Sequence, residues 1–200
     1  MTVQTPPGLL SFPHVFVPRP PAPGAEPRYS LCLLFDKIAQ ATPQFLALRK
    51  AVAAAIDDKW GPGKSRDTTF VAKLRSPFRR TEDKEYAGYK DMIGGLYISP
   101  WSNTKPGIVD ANRQDITVPG DVWPGQLARA SVSAFGYQTS GNMGVSFSLD
   151  NLQICRTDLP RLDGRKTAVE EFDTWVGEGG VLAMADDDEP PFLLPWRRAA

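Results

Sequence analysis

The sequence predicts a mainly β protein: a five- to six-stranded, partly open barrel with one capping α-helix at about 43–60 and an acidic, disordered C-terminal tail. Three observations carry this expectation. Nineteen prolines and 17 glycines in 200 residues imply frequent turns and exclude a helical bundle. Several segments alternate apolar and polar residues with period two, whereas a single segment repeats at steps of three and four. A hydrophobic fraction of 42% with 23% charged residues is that of an ordinary globular chain with one packed core.

The elements follow in order. Residues 8–17 (GLLSFPHVFV) carry Pro13 inside an apolar run, which suits an edge or bulged strand. Residues 18–27 (PRPPAPGAEP) hold five prolines and form a loop tip, because proline removes amide donors and fixes the backbone. RYSLCLLFDK (28–37) places Tyr29, Leu31, Leu33 and Phe35 at period two, a strand with one buried face. Thr42 then caps, Pro43 suits the first helical turn, and Phe45, Leu48, Val52, Ile56 and Trp60 recur at helical spacing until Gly61-Pro62 ends the run. Residues 61–95 are polar and basic, mostly loop with short extended pieces.

Strand signals return at GLYISPWS, with Leu96 and Ile98 on one face and Tyr97, Ser99 and Trp101 on the other. KPGIVDAN (105–112) is a further extended piece. In LARASVSAFGY (127–137), Ala128, Ala130, Val132 and Ala134 line one face, and Arg129, Ser131, Ser133, Phe135 and Tyr137 the other. After the TSGN loop, Met143, Val145, Phe147 and Leu149 alternate with Gly144, Ser146, Ser148 and Asp150. Residues 169–189 contain eight acidic side chains and no Lys or Arg, a composition whose default is disorder. The expected organisation is a folded domain at 1–168 and a tail at 169–200.

Most catalytic and metal chemistries lack their residues. WGPGKS (60–65) has Asp58 where a phosphate loop needs glycine, and it follows a helix instead of opening one. DANRQD (110–115) lacks the glycine and distal glutamate of a calcium loop. The lone histidine, His14, sits in an apolar strand and reads as structural; Cys32 and Cys155 read as reduced, buried thiols. No Cys/His cluster suggests a metal, no cofactor is expected, and no stretch of 18 apolar residues or cationic leader suggests membrane or export. The expected setting is therefore intracellular and non-enzymatic.

The formal net charge of zero conceals two unequal parts. Residues 1–168 hold 21 Lys+Arg against 15 Asp+Glu, a net +6, and residues 169–200 hold 2 against 8, a net −6. A basic body can bind a polyanion, and an acidic tail can compete for the same cations. The chemistry expected of the body is stacking of bases on Tyr97, Trp101, Phe135 and Tyr137, with phosphates met by Arg75, Arg79, Arg80, Lys90, Lys105 and Arg129 and Tyr89 alongside.

The order SFPHVFVP, RYSLCLLF, a helix ending in KWG, YISPWSNTKPGIVDAN, VWPGQLARASVSAFGY and GVSFSLDNLQIC resembles a bacteriophage family of OB-fold single-stranded DNA-binding proteins, formerly a domain of unknown function. The resemblance spans about residues 8–172. It is most specific in KPGIVDAN and in the pair LARASVSAFGY and LDNLQIC. It implies non-catalytic coating of single-stranded DNA in phage replication, recombination and repair, in the cytoplasm of the infected host. In similar replication-type binders, an acidic tail recruits polymerase and helicase; the counterparts here are Asp186, Asp187, Asp188, Glu189, Phe192 and Trp196. This tail departs from the pattern by ending in Arg197 and Arg198 before two alanines. A monomer or dimer with no membrane partner is expected. The alternative is a phage structural or replisome adaptor acting through its acidic, aromatic tail.

Overall fold

The computed structural model describes residues 2–83, 92–166 and 168–173. The chain divides into two units, Met1–Arg165 and Lys166–Ala200. Within the second, a single helical turn, α4 (Ala168–Glu171), is described, inside the stretch whose composition predicts disorder.

The first unit is built on one sheet. Its strands are β1 (Thr2–Gln4), β2 (Gly8–Arg19), β3 (Arg28–Phe35), β4 (Arg79–Arg80), β5 (Leu96–Ile98), β6 (Trp101–Ser102), β7 (Gly107–Val109), β8 (Leu127–Thr139) and β9 (Asn142–Arg156). The order β1-β8-β2-β3-β6-β9-β7, with a further β8–β9 ladder, closes a ring through β8, β2, β3, β6 and β9. Five strands thus make the barrel, as the alternation predicts, and four short ones attach to it. The closure is uneven: β8 and β9 pair along most of their length, whereas β6 meets β9 at one register position, Trp101 with Ser148.

Two departures from the sequence pattern have local causes. GLYISPWS is two strands, because Pro100 has no amide to continue a ladder; its carbonyl instead accepts from the Leu31 amide at 3.3 Å. The register of β2 against β3 slips between Ser11 and His14, where Phe12 takes φ of 46° ahead of Pro13. That is the bulge a proline inside a strand demands.

The helix α2 (Pro43–Trp60) runs as its periodicity predicts, with the Thr42 hydroxyl accepting from the Phe45 amide at its start and Gly61 at φ of 108° at its end. Phe45, Leu48, Ala51, Ala55 and Ile56 face inward. Phe45 meets Phe35 edge-on at 5.5 Å and Phe78 at 5.4 Å, and Phe78 meets Phe147 at 5.8 Å, so the helix plugs one end of the barrel with a continuous aromatic column. Beyond it, the basic stretch folds more than its composition suggests. One turn of helix, α3 (Thr68–Val71), is capped by Asp67. The WGPGKS turn is tied back to the helix, the Asp57 carboxylate accepting from the Ser65 amide and hydroxyl at 2.7 and 2.9 Å.

Candidate nucleic-acid interface

The alternation of β8 sends Ala128, Ala130 and Val132 into the core, where each is at most 2% exposed, and so turns Arg129, Ser131, Ser133, Phe135 and Tyr137 outward. Register then assembles the outer face across strands. His14 lies opposite Ser30, Ser30 opposite Trp101, Trp101 opposite Ser148, Ser148 opposite Ser133, and Ser133 opposite Thr2. Opposed residues share a face, so this is one row of small hydroxyls with a tryptophan at its middle.

Around that tryptophan the face is aromatic and cationic. The Trp101 and Phe135 rings meet edge-on at 5.8 Å. The Trp101 indole Nε1 donates to Ser146 Oγ at 3.2 Å, which fixes the ring plane. The Arg28 guanidinium lies 4.4 Å from the Trp101 ring centroid, and partial burial lowers its pKa from the ordinary value. Trp101, Phe135 and Tyr137 are all half-exposed, the state an amphipathic stacking surface requires.

A basic cleft continues from this patch. The Arg75 backbone is held against β9, its amide donating to the Met143 carbonyl at 2.9 Å and its carbonyl accepting from the Val145 amide at 3.1 Å. That places its exposed side chain beside Arg79, Ser99, Tyr137 and Ser146 around a space of about 60 Å³. A larger space of about 350 Å³ adjoins it through Arg75, lined also by Lys73, Gln138, Thr139 and Asn142.

The other expected residues separate. Tyr97 is a correction: its register partner Leu34 puts it on the outer face, but it is 2% exposed, enclosed with Leu9, Cys32, Leu34 and Met92. The ring is core and offers no surface for a base. Arg80 pairs with Leu96 and so faces away from Arg79. Lys105 stands 5.0 Å from the Phe16 ring, at the β2 side of the sheet. Arg129 lies six residues from Phe135, about 20 Å along the strand, and its Nε donates to Gln153 Oε1 at 2.8 Å. Tyr89, Lys90 and the tail residues Asp186, Asp187, Asp188, Glu189, Phe192 and Trp196 lie outside the described residues.

Three face residues escaped the sequence reading. Arg28 and Ser146 occupy the polar positions of the period-two pattern that identified their strands, so the signal was there. Lys73 shows no pattern, since its place depends on how residues 72–75 turn back on β9. Asp150 stands among the neutral residues of the face: its Oδ2 accepts from Thr2 Oγ1 at 3.3 Å and from Ser133 Oγ at 3.2 Å. His14 is half-buried on the same face, and burial together with the nearby Arg19 lowers its pKa. Cys32 and Cys155 are free and half-buried, the Cys32 thiol resting 3.2 Å from Ser99 Oγ. Among the described residues, no three His, Cys, Asp or Glu side chains stand close enough to hold a metal ion, and no helix is long and apolar enough to cross a membrane.

With this geometry in hand, the chain can be set beside known proteins. The family model described as the single-stranded DNA-binding protein of Enterobacter phage Enc34 matches residues 1–184. A putative protein p50 of Acyrthosiphon pisum secondary endosymbiont phage 1 is 29% identical over 185 residues, covering 90% of this chain and 93% of its own. Among solved structures, the bacteriophage Enc34 single-stranded DNA-binding protein in complex with single-stranded DNA is similar with a TM-score of 0.63 at 16% identity, over 80% of this chain and 88% of that one. The single-stranded DNA-binding protein gp2.5 of bacteriophage T7 is similar with a TM-score of 0.54 at 13% identity, over 92% and 98%. At such identities the two structures speak to the fold, which they share.

Proposed function

The chain belongs to the family of the Enterobacter phage Enc34 single-stranded DNA-binding protein, and from this we propose that it binds single-stranded DNA, without catalysis and with tolerance of sequence. The observation that carries the reading is the Trp101–Phe135 pair, half-exposed on a hydroxyl-rich sheet face with Arg28 stacked on it and Arg75 and Arg79 alongside. Rings of this kind accept any base by its flat face, worth about 1–3 kcal/mol each, while guanidinium groups follow the phosphates. A duplex hides its base faces and cannot use them.

The biological role we propose is to coat exposed single strands during phage replication, recombination and repair in the host cytoplasm. The acidic tail would compete for the cationic face or recruit a polymerase or helicase. The test is a salt titration of a fluorescent oligothymidine against a duplex of equal length. Preferential single-strand binding that weakens steeply with salt is expected; equal affinity for duplex, or indifference to salt, overturns the reading.

A further inference from the structure

The strand β9 carries one extra residue where it passes β8. Ser131 lies opposite Asn151, but Val132 lies opposite Leu149, so the ladder skips Asp150. A bulge of this kind leaves its extra residue outside the pairing and re-aims its side chain. Leu149 and Leu152 both remain in the core at 2% and 1% exposure, and the carboxylate of Asp150 stands half-buried on the outer face, where Thr2 and Ser133 hold its Oδ2. Among the described residues no hydrogen bond reaches Oδ1. Along β9, Asp150 is two residues from Ser148, the register partner of Trp101, or about 7 Å at the usual strand rise. That is roughly the width of a base.

A carboxylate here has the wrong sign for phosphate. The cations of the face already serve the backbone, and an ionised carboxylate accepts hydrogen bonds without donating any. It is matched to the donor-bearing edge of a base stacked on the neighbouring ring. Guanine presents N1–H and the N2 amino group side by side, two donors for two carboxylate oxygens. Thymine presents one N–H between two carbonyls that repel the carboxylate, while cytosine and adenine present one amino group beside a ring acceptor.

We infer that Asp150, held by Thr2 and Ser133, reads the Watson–Crick edge of a base stacked at Trp101 and gives this otherwise sequence-tolerant face a preference for guanine. The inference rests on the single-strand reading above and adds to it a specificity-determining residue. Single-stranded recognition commonly joins aromatic stacking with hydrogen bonds to the exposed base edge.

Competition titrations with the full chain test it, using a short oligothymidine, the same oligomer with one central guanine, and a third with hypoxanthine at that position, which keeps N1–H and lacks the amino group. The guanine oligomer is expected to bind at least about fivefold tighter than oligothymidine, with most of that gain lost to hypoxanthine. In D150N the guanine-to-thymine ratio is expected to fall to about one. Equal affinities for the three oligomers, or a guanine preference that survives D150N, overturn the inference and leave the single-strand reading standing. If none of the oligomers binds, both fall. Should D150N fail to fold, the hypoxanthine comparison on the native chain decides alone.

Discussion

Trp101 and Tyr97 stand four positions apart on the same side of the sheet, and their neighbours give them opposite work. Met92, Leu9 and Leu34 enclose Tyr97, whereas Trp101 keeps an open ring fixed by Ser146. Trp101→Ala is expected to cost about 1–3 kcal/mol of single-strand affinity with a melting temperature near that of the native chain. Tyr97→Ala is expected to cost about 3 kcal/mol or more of stability through the cavity it leaves. Anisotropy titration and thermal melting separate the two, and a Tyr97→Ala protein that melts normally but binds poorly would return that ring to the interface. Alternation in the sequence could put both rings on one side; it could not show the cover over Tyr97, which comes from residues as distant as Leu9. His14 makes a prediction in pH. Its pKa in the folded chain is lowered by burial and Arg19, so the unfolded chain takes up the proton first and stability falls as pH drops below the free imidazole value of about 6.5. Asp57, Asp67 and Asp163 are held low by hydrogen bonds, and their contribution is lost only as pH falls below about 4. Between these windows, His14→Gln should flatten the decline in melting temperature; an unchanged slope would show that His14 is not its source.

Elements differ in how much of themselves they announce. The helix α2 is specified locally, from the Thr42 cap to Gly61, and the alternating strands β3, β8 and β9 are almost as plain. The short pairings β4, β6 and β7 gain their hydrogen bonds from strands far away in sequence and leave two or three residues each as evidence. The same holds for the basic cleft, whose Arg75 was legible as a cation but not as a neighbour of Tyr137. What joins them is Gly144. A Cβ there would lie 2.6 Å from the Arg75 carbonyl oxygen and 3.0 Å from the Tyr137 hydroxyl, so only glycine lets residue 75 lie against β9. Gly144→Ala is expected to push that segment off the sheet, costing about 1–3 kcal/mol of stability and weakening single-strand binding by displacing Arg75. Chemical denaturation and oligothymidine titration measure the two effects, and native values in both would show that residue 75 yields without consequence.

For the whole molecule, the distribution of charge says more than its total. A chain of net zero gives no sign of a polyanion partner, yet residues 1–168 carry +6 and residues 169–200 carry −6. If the tail competes for the cationic face, the 1–168 protein should bind oligothymidine more tightly than the full chain, with the gap closing as salt rises and screens both anions. Unchanged or weaker affinity would mean that the tail does not occupy that face. Barrel closure has a consequence of its own. The ring is sealed on one side by a single register pair, Trp101 with Ser148, and a ladder that short opens ahead of its neighbours. Backbone amides of β6 should therefore trade their protons with solvent sooner than those of the β8–β9 ladder. The stacking ring thus hangs on the barrel's loosest joint, and a strand of DNA lying across Trp101 and Phe135 would act as a clasp, slowing that exchange at the very seam it covers.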